Sequence, residues 1–274
     1  MNHYIQVSDS LWEFAMQNTP EALFGTPAKS GLGGKTRHIK NVIRLGSTLA
    51  HGDMNPELVQ IALQLHDIGR SVQWQHSGSF NDRAINHRYN GLAMVEAFVR
   101  QEKCELTPDW RVVVDVMQYH GVPHMYGLVD ELSLPYVKLV SLADDVENGC
   151  CGALGYLEDE KARDDKGYGS GPEQMECSIE LLGYLERGEK FNKMELCHTY
   201  AEYFIFAATL ATYAYNQAPE LAKAAMQDRC YLYEDENGHE HWLSAVDGYC
   251  RIFEKHVRPD VAKHACEIMR AKFG

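Results

Sequence analysis

The chain has 274 residues, 45% apolar and 24% charged, which places it among ordinary globular proteins able to bury one large core or two modest ones. No apolar run is long enough to cross a bilayer and the opening residues lack a signal-peptide profile, so a cytoplasmic protein without a membrane partner is expected. A net charge of −13 argues against a nucleic-acid-binding surface.

That charge is unevenly spread. Residues 1–100 carry 9 Lys/Arg against 8 Asp/Glu, whereas residues 145–190 carry 12 acids against 5 bases. An anionic small molecule is therefore expected to meet the first hundred residues. The eight cysteines form no CxxC pair, so neither a disulfide framework nor a zinc knuckle is indicated.

Helical periodicity predicts helices over 8–18, 36–51, 56–68, 83–101, 108–120, 135–148, 173–187, 192–216, 219–228, 243–257 and 259–272. "SGLGGKT" (30–36) fails as a phosphate loop because the first glycine position is Lys29; it reads as an entry to the next helix. The 56–68 helix opens with Asn55 as N-cap and Pro56 in the first turn, and Gly69 is its expected stop. "WQHSGSFNDR" (74–83) is polar, either a lid or an ordinary connection, with His76 reaching substrate or facing solvent. The 108–120 helix is capped by Thr107-Pro108, and Pro123 turns His124 towards solvent. An exposed loop or boundary is expected at 158–174. "YAEYFIFAATLATYAYN" reads as a buried helix, serving as core or as the contact of a homodimer. "CYLYEDENGHEHWLS" predicts a β-hairpin near 230–243 around an Asn-Gly turn. Neither "MELCHTY" nor the hairpin's "NGHEH" is expected to bind metal. The fold class is all-α: a helical domain over 1–150, and a helical extension with one hairpin over 151–274, packed with it as one globule.

The chemistry-bearing residues emerge when each helix is read at spacings of three, four and seven. His38 aligns with Val42, Leu45 and Leu49; His66-Asp67 ends the next apolar helix; His87 aligns with Gly91, Met94 and Phe98. His120 follows Val113, Val116 and Met117, and Asp144 follows Val137, Val140 and Ser141. Singly, each reads as a hydrogen-bonded core histidine or a helix-end carboxylate. Together, four imidazoles and two carboxylates on apolar stripes call for a cation, and divalent metal takes both donor types. Six ligands exceed one tetrahedral site and suit two ions sharing a carboxylate.

His38, His66-Asp67 in "ALQLHDIGR" and Asp144 in "LADDVEN" resemble the H…HD…D pattern of the HD-domain superfamily of metal-dependent phosphohydrolases over about residues 35–150. The resemblance implies an HD helical bundle in which His38, His66, Asp67 and Asp144 hold one ion. His87 in "HRYNG" and His120 in "YHG" fall where two-metal members carry further histidines, so they complete a second site, with Asp67 bridging. The cyclic-dinucleotide-cleaving branch is excluded, because its GYP signature is missing.

The implied activity is hydrolysis of a phosphate ester or anhydride of a small molecule or nucleotide by a two-metal-activated hydroxide, with Fe, Mn, Zn, Co, Ni or Mg as candidate ions. Asp67 and Arg70 are the expected catalytic residues, and Arg70, Arg83 and Arg88 the expected substrate ligands, because guanidinium matches phosphate oxygens bidentately. Lys35, Arg37 and Lys40 surround His38 and read as a solvated face. The same ligand set fits a mixed-valent diiron oxygenase that cleaves a C–C or C–P bond with dioxygen. A non-catalytic sensor with a structural metal is a third reading.

Overall fold

The computed structural model describes residues 35–77, 86–102, 109–150 and 177–274, with residues 10, 11, 13 and 154 besides. Most of the helix expected at 8–18, the latter part of the 74–83 segment, Arg83 and the 158–174 loop lie outside the described residues, as do the side chains of Lys35 and Arg37. The described chain is helical apart from one two-stranded antiparallel hairpin. It divides into two compact units, the first closing at Asp144 and the second opening at Asp145. The sequence reading set that boundary at residue 150. Among the described residues no helix is long and apolar enough to cross a membrane.

The first unit contains α1 (Lys35–Leu49), α2 (Pro56–Leu65), α3 (Arg70–Ser77), α4 (His87–Glu102), α5 (Trp110–Tyr119) and a 3-10 helix (Pro123–Leu128). The opening turns of α6 (Leu134–Cys150) complete it. Asn55 accepts a hydrogen bond from the Glu57 amide, capping α2 as its sequence implies. Its apolar face buries Leu58, Val59, Ile61, Ala62, Leu63 and Leu65 against α1 and α5. Val42 and Leu45 of α1, Val113 and Val116 of α5, and Val137 and Val140 of α6 are likewise buried. Each pair is three residues apart, on one helical face.

Two boundaries differ from expectation in ways that shape the site. The helix expected to run to residue 68 ends at Leu65, and residues 66–69 form tight turns closed by Ile68 N–H to Leu65 O and Arg70 N–H to Asp67 O. A new helix starts at Arg70 and runs to Ser77, so the first residues of the polar 74–83 segment are helical. Gly69 is no left-handed helix stop, since it is not among the glycines with positive φ. Its role is steric: a Cβ there would overlap the backbone oxygen of His87 and the amide nitrogen of Gly91. In α5 Asp109 stands at the N-cap position without a side-chain capping bond, and the expected Thr107-Pro108 cap lies outside the described residues.

The second unit contains the end of α6, α7 (Ile179–Arg187), α8 (Lys193–Leu196), α9 (Tyr200–Gln217) and α10 (Pro219–Gln227). After these come β1 (Arg229–Glu234), β2 (Glu240–Ser244), α11 (Ala245–His256) and α12 (Pro259–Phe273). A single helix was expected over 192–216, but the chain breaks at 197–199 into α8 and α9. Thr199 accepts from the Glu202 amide, and the Glu202 carboxylate accepts from the His198 and Thr199 amides, a capping box that outcompetes helical continuation. Its T-x-x-E signature was already readable at 199–202. Thr199→Ala is expected to cost about 1 kcal/mol in urea unfolding of the full chain.

Most of α9 is buried, including Tyr200, Phe204, Ile205, Ala208 and Ala211, so the aromatic run is core of this unit. The hairpin pairs Glu234 with Glu240, leaving a five-residue loop where a two-residue Asn-Gly turn was expected. The Asp235 carboxylate accepts from the Asn237 and His239 amides and thereby holds the longer loop. Its other oxygen faces His241 at 3.0 Å.

Candidate metal centre

Six side chains read from five predicted helices converge within the first unit. His38 projects from α1; His66 and Asp67 occupy the turn after α2; His87 is the first residue of α4; His120 follows the last residue of α5; Asp144 lies on α6. All are buried except Asp144, whose side chain is 16% exposed. Breaking α2 at Leu65 lets adjacent residues 66 and 67 turn their side chains to one place, which a continuous helix would splay by about 100°.

The contacts resolve into two groups that share Asp67. Donor atoms of His38, His66 and Asp67 lie within 4.8 Å of one another, as do those of Asp67, His87 and His120. The Asp67 carboxylate presents a different oxygen to each: Oδ2 is 3.7 Å from His38 Nε2, whereas Oδ1 is 3.2 Å from His87 Nε2 and 3.8 Å from His120 Nε2. Asp144 Oδ1 belongs to the first group, 3.2 Å from His38 Nε2 and 3.7 Å from His66 Nε2.

Tautomers follow from the outer hydrogen bonds. His66 Nδ1 lies 2.8 Å from Leu63 O and His120 Nδ1 lies 2.8 Å from Val116 O. A carbonyl oxygen only accepts, so each Nδ1 carries a proton and, in the neutral ring, each Nε2 carries a lone pair. Those lone pairs face carboxylate oxygens and neighbouring rings, with His38 and His66 Nε2 3.3 Å apart and His87 and His120 Nε2 3.5 Å apart. Imidazole nitrogens and carboxylate oxygens gathered at these distances are the donor types that a divalent cation would hold together. Backbone-bonded Nδ1 with Nε2 turned inwards is the way histidine is prepared as a metal ligand.

Electrostatics agree. Burial lowers the His120 pKa to about 3, with the His66 and His87 charges adding to it. The ring is therefore neutral, as a ligand must be. Burial alone would raise Asp144, but its contacts with His38 and His66 outweigh that and hold it well below the usual carboxylate range. The donor set of imidazole nitrogens and ionised carboxylate oxygens fits divalent metal.

The expected substrate ligands fare differently. Arg70 is 8% exposed and lies inside the site, not at its rim. Its Nε is 3.4 Å from Asp67 Oδ1, and its Nη1 donates to Oε1 of fully buried Gln73 at 2.9 Å. Sequence reading did not single out Gln73, which lies one turn after Arg70 in a helix that was not expected. Arg88 is half-buried in the first turn of α4. Arg83 lies outside the described residues. His76, His124, His198 and the hairpin's His239 and His241 are exposed.

Residues 36–149 match the family model of the HD domain. No curated protein and no solved structure matches the chain. The matched span includes all six converging residues, and an HD helical bundle is what the first unit displays. Over residues 36–149 the chain thus carries an HD domain, the module of a superfamily of metal-dependent phosphohydrolases.

Proposed function

We propose that the protein hydrolyses a phosphate ester or anhydride of a small anionic molecule or nucleotide at a two-metal centre. One ion position would take His38, His66, Asp144 and Asp67 Oδ2, and the other His87, His120 and Asp67 Oδ1. The observation that carries this reading is the division of the Asp67 oxygens between two histidine pairs. Bound divalent ions would supply Lewis acidity towards a phosphoryl oxygen and a water nucleophile active near neutral pH.

The residues divide the remaining work. The first position has two imidazoles and two carboxylates; the second has two imidazoles and only the shared carboxylate, so fewer protein donors compete there with a substrate oxygen. Arg70, anchored by Asp67 and Gln73, places a guanidinium beside that carboxylate and opposes the charge gathering on the phosphoryl group. The peptide carbonyls of Leu63 and Val116 keep His66 and His120 in the ligating tautomer.

Elemental analysis of protein purified without added metal, followed by assays of phosphate esters and nucleotides in air and under anaerobic conditions with Mn2+, tests this reading. Two ions per chain and equal phosphate release in both atmospheres are expected. Two irons per chain with substrate loss only in dioxygen would replace hydrolysis by oxygenase chemistry.

A further inference from the structure

One hydroxyl ties together two elements that each carry a candidate ligand. Ser141 lies on α6, three residues before Asp144, and is 3% exposed. Its Oγ donates to Val137 O at 2.6 Å, and accepts from Gly121 N–H at 2.9 Å and from the Tyr126 hydroxyl at 2.8 Å. A serine hydroxyl has one proton and two lone pairs, and here all three are used.

The partners matter because of where they stand. Gly121 directly follows His120, and its φ of +70° turns the chain sharply out of α5. Its N–H is thereby delivered to α6. Tyr126, on the 3-10 helix, brings the following segment back to the same oxygen. His120 belongs to the group formed with Asp67 and His87, whereas Asp144 faces His38 and His66. A single atom therefore joins the exit of the helix that carries His120 to the helix that carries Asp144.

We propose that Ser141 is a positioning residue that sets the separation of the two ion positions. The proposal rests on the two-metal reading above. A shared carboxylate spans only a narrow range of metal–metal distances, so the relative placement of His120 and Asp144 decides whether both ions bind well. Without the Ser141 hydroxyl, the Gly121 amide and the Tyr126 hydroxyl lose their acceptor, and α5 is no longer pinned to α6 at this point. Outer hydrogen-bonding partners of metal ligands typically change metal affinity by about 10–100-fold.

The test is titration of the metal-free full chain with Mn2+, reading bound ions per chain and the exchange-coupled spin-resonance signal of an ion pair. Wild type should take up two ions and show the coupled signal. Ser141→Ala should bind the first ion normally and the second about 10–100-fold more weakly, with the coupling altered. Ser141→Thr, which keeps a hydroxyl able to bond Val137 O, should restore both readouts. Tyr126→Phe removes one of the two donors to Ser141 and should weaken the second ion by a smaller factor. A purely stabilising serine would lower the melting temperature of Ser141→Ala while second-ion affinity and coupling stayed at wild-type values, and that result overturns the proposal. Should Ser141→Ala fail to fold, unchanged second-ion affinity in Tyr126→Phe overturns it equally. A wild type that binds only one ion removes the two-metal reading itself, and this proposal with it.

Discussion

Asp67→Ala is expected to empty both ion positions at once and to lower turnover by about 10³-fold or more, since bound ions supply several kcal/mol of transition-state stabilisation. The expectation follows from the two carboxylate oxygens. Oδ2 faces His38 and Oδ1 faces His87 and His120, so one substitution removes a donor from each group. His87→Ala offers the contrast, because it takes a donor from the second group only. Metal content by mass spectrometry of the purified variants distinguishes them. Asp67→Ala should retain little metal, and His87→Ala should keep the ion of the first group. If Asp67→Ala holds as much metal as wild type, Asp67 is not shared. The circular dichroism of each variant shows whether the helices have survived the change.

Gly69→Ala should be among the most damaging single-methyl substitutions in the chain. The turn after α2 passes so close to the start of α4 that an added Cβ would overlap the His87 oxygen and the Gly91 nitrogen, and both are backbone atoms. A flexible side chain could swing aside, but a helix terminus must move as a body. Overpacking of this kind costs about 3 kcal/mol or more. The melting temperature should fall by about 6–12 °C. The damage should also reach the metal, because the element displaced carries His87 as its first residue. Weakened uptake at the Asp67–His87–His120 group is therefore expected alongside the lower stability. A variant that melts normally and binds metal normally would show that Gly69 and α4 are not in this contact.

The six converging side chains were legible because burial imposes a periodic pattern. A helix with one oily face advertises any His or Asp that interrupts the stripe, and His38, His87, His120 and Asp144 each did so. The adjacent pair His66-Asp67 was legible as an expensive place for a carboxylate. Even the capping box that splits α8 from α9 stood in the sequence as Thr199 and Glu202, masked by the apolar run that follows.

Other features were not legible, for a common reason. Sequence spacing fixes which residues share a face of one helix, but says nothing about the distance between atoms on different helices. Which Asp67 oxygen serves which histidine pair depends on how α1, α4 and α5 approach the turn at 66–69. Arg70 reads as a phosphate ligand beside the dyad, and only tertiary packing encloses it with Asp67 and Gln73. Ser141 reads as a filler on an apolar stripe, and only packing delivers the Gly121 amide and the Tyr126 hydroxyl to its lone pairs. The sequence by itself determined the donor types and the helices that bear them, because side-chain chemistry and local periodicity belong to the chain. The approach of both histidine groups to Asp67 and the pinning of α5 to α6 were decided only by the tertiary structure, because such contacts act over a few ångströms between residues as far apart in the chain as His38 and Asp144.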